Sequence, residues 1–302
     1  MSEARQRVPA KAVPVVLDPA WTLQVALRQM VRGCLDHLRA NDGGAASSRD
    51  SEYLHQTRVA LRRMRSALRL QLPADAAVIA LRAELKWLAG SLGTARDWDV
   101  LLEDILRPMA RAYASAAPAA DFTRLMNAAR RRRTDARRAA RAALSSERYA
   151  ALLQALKNWL GAPFASDPAV DALPQFAARI VRRRHKRLLR DAAGFMQQSP
   201  AQRHQVRIDT KRLRYMVEFF LSLFPGKSVN LYRRELAALQ DSLGALNDAA
   251  TAARLLEGLP GADVPAPFIR GWLAARETDS LGAVEAALAR LAKCGRFWKS
   301  AG

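Results

Sequence analysis

The chain has 302 residues, half of them hydrophobic and a quarter charged, enough to bury the core of one large domain or two modest ones. Lys and Arg total 49 against 28 acidic residues, a formal net charge of +21; self-repulsion of that size opposes compaction and points to a polyanionic partner such as nucleic acid, an anionic membrane or polyphosphate. No apolar run reaches membrane-spanning length, and Cys34 and Cys294 lie far apart with no C-x-x-C pair, so two packed thiols in a cytoplasmic protein without a membrane segment are expected.

The first elements follow from punctuation and period. Residues 1–19 carry Arg5, Arg7 and Lys11 among prolines and read as a flexible basic arm. After Pro19, Ala, Leu, Arg and Glu recur at spacings of three and four while β-branched runs are scarce, which predicts an all-α fold. Helices are expected over Ala20–Ala40, Ser51–Gln71, Ala74–Ser115 (broken near Gly90–Gly93), Asp121–Leu144 and a short Glu147–Leu160. A second set follows at Pro174–Gln198, Pro200–Leu223, Ser228–Gly258 and Pro267–Lys293. The turns between them fall at Asn41-Asp-Gly-Gly, Gly161-Ala-Pro, Phe224-Pro-Gly and Leu259-Pro-Gly, and Ser199 before Pro200 has the form of an N-cap with proline at the first helical position.

The chain contains a duplication. HQTRVALRRMRSAL from His55 returns as HQVRIDTKRLRYMV from His204, and ELKWLAGSLGTARD from Glu84 returns as ELAALQDSLGALND from Glu235. A weaker pair starts at Arg132 and Arg276, in the same order. Two tandem four-helix-bundle repeats, 20–160 and 174–302, are the expected organisation.

Each repeat places a cationic stripe on its second helix. With about 100° per residue and His55 at zero, Arg58, Arg62, Arg65 and Arg69 fall at about 300°, 340°, 280° and 320°; His204, Arg207, Lys211 and Arg214 repeat the pattern. Leu61, Met64 and Leu68, and Leu213, Val217 and Phe220, lie on the adjoining arc, while Ile208, Tyr215 and Phe219 flank the stripe of the second repeat. A charged stripe is usually a solvated face, but such a face mixes signs, whereas here like charges stack at repulsive spacings in both copies. Arg63 and Arg212 sit at about 80°, well off the stripe. Arg28 and Arg32 on the first helix correspond roughly to Arg179 and Arg183 and are further candidates, as is the Arg130–Arg133 run. Asp97 and Asp248 follow an L-G turn in both copies and read as caps or orienting partners for an arginine, since neither has a His or Cys at ligand spacing.

No Gly-rich phosphate loop, nucleophile elbow or H-E-x-x-H motif accompanies the cations, so binding without catalysis, cofactor or metal is expected. The rival readings are nonspecific binding of DNA or RNA backbones, for which only 7% aromatic residues offer few stacking platforms, and phosphotransfer through His55 or His204.

HxxRxxxKRxRY from His204, LQDSLGALND from Leu239, and the degenerate copies HQTRVALRRMR and LGTARDWDVLL together resemble the CHAD domain, the conserved histidine α-helical domain. The resemblance covers the chain after about Ala20. It implies two four-helix bundles related by a pseudo-two-fold axis, a basic central cleft, polyphosphate binding and association with polyphosphate granules, weak nucleic-acid binding being the alternative. The family's motif positions fall on His55, Arg58, Arg62, Arg65, His204, Arg207, Lys211 and Arg214. Some members are fused to a triphosphate-tunnel hydrolase; this chain lacks that domain's E-x-E-x-K motif and resembles a stand-alone member. One departure is Glu218, which stands where the first repeat has Arg69.

Overall fold

The computed structural model describes residues 8–71, 73–115, 118, 120–163 and 172–301, and among them there is no strand. The α-helices are α1 (Leu23–Ser47), α2 (Ser51–Ala67), α3 (Ala76–Ser91), α4 (Gly93–Val100), α5 (Arg107–Tyr113), α6 (Ala120–Leu144), α7 (Glu147–Gly161), α8 (Leu173–Asp191), α9 (Pro200–Phe219), α10 (Lys227–Leu256) and α11 (Ala266–Lys293). The all-α expectation holds. Contacts group the chain into two compact units: 1–17, 21–96 and 134–170, and 18–20, 97–133 and 171–302. Residues 97–133, which belong to the first sequence repeat, therefore pack with the helices of the second.

In the first unit α1 packs along α2, α2 on α3, α3 on α7 and α7 back on α1, which closes a four-helix ring. Caps fix the helix starts: Thr22, Asp50, Asp75 and Ser146 each accept a backbone N–H from the first turn of α1, α2, α3 and α7. The core comprises Met30, Val31, Leu38, Leu61, Met64, Leu85 and Leu88, none more than marginally exposed.

Two expectations fail in this unit for tertiary reasons. The Asn41-Asp-Gly-Gly turn is absent, because α1 runs through it to Ser47. Asn41 is buried, its Nδ2 donating to the His37 and Ala10 carbonyls while its Oδ1 accepts the Ala10 N–H; Asp42 accepts from Arg39 at 2.8 Å and from the Tyr149 hydroxyl. Gly44 serves close packing, since a Cβ there would lie 2.2 Å from the Tyr53 ring. The second correction concerns the arm. Arg5 and Arg7 lie outside the described residues, but over 8–17 the chain is pinned at Ala10 by Asn41 and His37, with Val15 and Leu17 buried.

In the second unit α8 packs on α9, α9 on α10 and α10 along α11, while α5 rests on α11. The residues before α5, Leu101–Leu106, form a π-helical stretch that also touches α10, and the Arg107 N–H reaches the Leu102 carbonyl. Pro108 explains the widening: in a regular helix its ring would strike the carbonyl four residues back, and a π turn relieves that clash. The expected break near Gly90–Gly93 is present, α3 ending at Ser91 and α4 starting at Gly93, whereas α10 crosses the matching Ser242-Leu-Gly segment unbroken. α8 stops at Asp191, short of the expected Gln198, because Gly194 adopts a left-handed conformation (φ 64°) before a 3-10 turn at Phe195–Gln197. Ser199 does cap α9, with Gln202 completing a reciprocal capping box. A 3-10 turn at Phe297–Ala301, unanticipated from the sequence, packs on α8 through Trp298.

Candidate functional site

In the first unit the apolar arc of α2 is buried and the cations beside it are half-buried: Leu61, Met64 and Leu68 are inaccessible, while His55, Arg58, Arg62 and Arg65 keep partial access. The Arg130–Arg132 run on α6 is exposed, as an ordinary solvated face should be. The stripe thus differs from that run. Arg69 lies just past the end of α2, where Leu68 is the C-cap.

The stripe is held from below. The Arg58 Nη1 donates to the Ala89 carbonyl at 2.8 Å, one of the last-turn carbonyls that the end of α3 leaves without a helical partner. Gly93 begins α4 directly beside it; a Cβ there would stand 3.2 Å from Arg58 Nη1. Burial pushes the His55 imidazole down to about 4, and the cations of Arg96, Arg62 and Arg58 push the same way against Glu52. His55 is therefore neutral at pH 7, and the positive charge belongs to the arginines, with Arg96 added from α4.

The copy in the second unit is not identical. His204 is exposed; Arg207, Lys211 and Arg214 are half-buried above buried Leu213, Val217 and Phe220. Arg214 is engaged by Glu218, Nε to Oε1 at 2.8 Å. Together they form one wall of a groove of about 660 Å³, whose other wall on α10 carries Lys227, Arg233, Arg234 and the exposed Leu231. Arg234 is partly neutralised by Glu235 at 3.3 Å. Arg233 matches Arg82 of the first repeat, but Lys227 and Arg234 stand where that repeat has Ala76 and Ala83, so the duplication could not reveal them. Their signal was the seven-residue spacing of Lys227 and Arg234, two turns along one face.

The remaining candidates scatter. The Arg28 guanidinium lies over the Trp159 ring, 5.8 Å from its centre, and donates to the Pro163 carbonyl at 3.3 Å; Arg32 is exposed. On α8, Arg179 lies over Phe176 of its own helix and lines a different cavity, and Arg183 is exposed on neither cavity wall. α8 meets α9 through Arg187 and Asp209, 3.5 Å apart. Asp209 sits at about 140° on the α9 wheel, nearly opposite the stripe, so Arg179 and Arg183 do not join it.

Asp97 and Asp248 lie inside α4 and α10 respectively and are not caps. Among the described residues no group of three or more His, Cys, Asp or Glu side chains is placed to hold a metal ion. The other two histidines are buried packing residues: His37 bridges the Ala10 carbonyl and Gln56 at 3.0 Å each, and the His185 Nδ1 meets the Tyr232 hydroxyl at 2.8 Å. Burial lowers the pKa of both. The off-stripe arginines are not inert surface groups either, Arg63 being buried and Arg212 bonded to Asp209 at 3.2 Å.

No helix among the described residues is long and apolar enough to cross a membrane. None of the curated proteins matches the chain. Among solved structures the fold is similar to the crystal structure of the CHAD domain from the plant Ricinus communis, with 34% identity over 93% of this chain and 96% of that one and a TM-score of 0.77. It is also similar in fold to PptA from Streptomyces chartreusis, 22% identical over 91% of this chain and 98% of that one, with a TM-score of 0.65. The CHAD domain family model matches residues 29–257, taking in both cationic stripes and the helices that hold them: the chain belongs to the CHAD domain family.

Proposed function

We propose that the protein binds inorganic polyphosphate along its cationic stripes, without catalysing a reaction on it, and that this binding directs it to polyphosphate granules. The observation that carries the reading is the half-buried, repeated alignment of Arg58, Arg62 and Arg65 on α2 and of Arg207, Lys211 and Arg214 on α9. Polyphosphate is a flexible, densely charged strand without bases. It needs donors along a track rather than an aromatic platform, and guanidinium groups match phosphate oxygens in a fixed fork. The α9–α10 groove fits that need, because its lining contains four cations and no aromatic ring. Neutral His55 is a poor electrostatic contributor at pH 7 but can donate or accept beside the arginines.

Nucleic-acid backbones present the same charge and remain the competing ligand. Competition between long-chain polyphosphate and duplex DNA, at equal phosphate concentration and several salt concentrations, tests the reading. Polyphosphate is expected to win, with a log–log salt slope of about −0.7 per phosphate contact by analogy with single strands. Preference for DNA, or a slope near zero, would overturn it. A fluorescent fusion compared in cells with and without polyphosphate tests the granule assignment.

A further inference from the structure

A second cationic cavity lies on the other side of α8, in the second unit, and shares no residue with the α9–α10 groove. Its volume is about 850 Å³, in the range of small-molecule sites. Arg179, Arg182 and Lys186 line it from α8, four or fewer residues apart in succession and so on one face. Lys299 of the C-terminal 3-10 turn and Arg296 just before it line it from more than a hundred residues away in sequence.

Packing brings the two segments together. Trp298 is buried against His185 of α8, ring centres 4.9 Å apart, and both also pack on Tyr232. The cations flanking Trp298 are thereby fixed across from those of α8.

The charge pattern of α8 is asymmetric. Towards its C-terminal end Arg187 and Arg190 are both ion-paired to Asp191, and Arg187 also approaches Asp209. The cavity face is different: among the described residues five cations line it and no carboxylate does. Convergence of like charges without an acid is a standing electrostatic cost that an anion would relieve. The cavity is not merely a stretch of polyphosphate track, however, because Ala178, Leu189 and Trp298 give it an apolar side that a bare phosphate strand has no use for.

We propose that this cavity is a separate binding site for an organic phosphate of nucleotide size, its phosphates held by Arg182, Lys186, Arg296 and Lys299 and its apolar body resting on Leu189 and Ala178. The site is independent of the stripes and does not rest on the polyphosphate reading.

ADP and pyrophosphate, titrated calorimetrically into the full chain, test it. ADP should bind at least ten times more tightly than pyrophosphate. Arg182→Gln with Lys186→Gln should weaken ADP at least ten-fold, while Arg131→Gln with Arg132→Gln, an equal charge removal from the exposed face of α6, should change it less than two-fold. Leu189→Gln should weaken ADP and leave pyrophosphate unchanged. Long-chain polyphosphate binding should be unaltered in the Arg182/Lys186 variant. Equal losses in the α8 and α6 double variants would overturn the proposal, since total charge alone would then capture the ligand. Equal affinity for ADP and pyrophosphate would overturn the organic part of the assignment.

Discussion

Glu218 is the residue whose removal should strengthen the proposed polyphosphate site. It holds Arg214 at 2.8 Å on the wall of the α9–α10 groove, with the two side chains 20% and 28% exposed. A phosphate that takes Arg214 must displace this carboxylate or lie beside it. The displaced i,i+4 pair is worth about 0.3–0.5 kcal/mol. Two unit charges about 5 Å apart repel by roughly 1 kcal/mol in a water-like dielectric, and by more at a half-buried site. Glu218→Gln removes both penalties, so long-chain polyphosphate should bind with about 1–1.5 kcal/mol more free energy, a five- to ten-fold gain in affinity. Glu218→Arg, which places here the cation that Arg69 supplies in the first repeat, should gain at least as much. The gain should shrink as salt rises, since screening acts over about 8 Å at physiological ionic strength. Thermal stability should change little, because an i,i+4 ion pair contributes only about 0.3–0.5 kcal/mol. Fluorescence anisotropy of end-labelled polyphosphate, measured at two salt concentrations, reads the effect. Unchanged or weaker binding by Glu218→Gln would refute the idea that Glu218 competes with the ligand for Arg214.

Replacing Arg58, Arg62 and Arg65 together by Gln should weaken polyphosphate binding by more than ten-fold with helical circular dichroism retained; the matched control is Arg130, Arg131 and Arg132 to Gln, because Arg63 is buried and unsuitable. Because the imidazoles of His55, His37 and His185 are all lowered on folding, their stabilising share is complete above their unfolded value near 6.5, falls as pH drops through it, and for His55 is gone by about pH 4. Urea unfolding between pH 7.5 and 4 should show this decline, and His55→Gln should flatten it by on the order of 2 kcal/mol. Gly44→Ala should destabilise the protein by about 1–3 kcal/mol through overpacking on the Tyr53 ring, lowering the melting temperature, whereas Gly43→Ala, which meets nothing, should not.

Much of the fold was legible because helices announce themselves locally. The Ser199-Pro200 start of α9, the Phe224-Pro-Gly turn and the break between α3 and α4 each follow from residues within a few positions of the event. The failures share an opposite cause. Asn41-Asp-Gly-Gly has the composition of a turn, yet its polar groups are satisfied by Ala10, Arg39 and Tyr149, and its Gly44 is matched to Tyr53; all but the Arg39 contact lie beyond the reach of a local window. Propensity near 1 kcal/mol per glycine yields to a buried network of that kind. The shortening of α8 by about two turns follows the same logic, since the left-handed Gly194 serves to reach Phe195, which is buried.

The site divides along the same line. Helical rotation alone put His55, Arg58, Arg62 and Arg65 on one face, and their counterparts on another, because the buried arc of Leu61 and Met64, or Leu213 and Val217, fixes how each helix is turned. What each cation then touches is set by segments that the two copies do not share. In the first unit the interrupted α3 offers the Ala89 carbonyl to Arg58, and Arg96 of α4 bears on His55. In the second, α10 is continuous at the equivalent point, and α9 instead offers Glu218 to Arg214 while α10 contributes Lys227 and Arg234. The duplication therefore conserved the direction of the cations and not their chemistry. On α2, Arg58 is anchored by a backbone carbonyl, whereas on α9 a phosphate that takes Arg214 must first displace the Glu218 carboxylate. Binding at α9 should therefore respond to substitution at position 218, by an amount that shrinks as salt screens the Arg214–Glu218 pair.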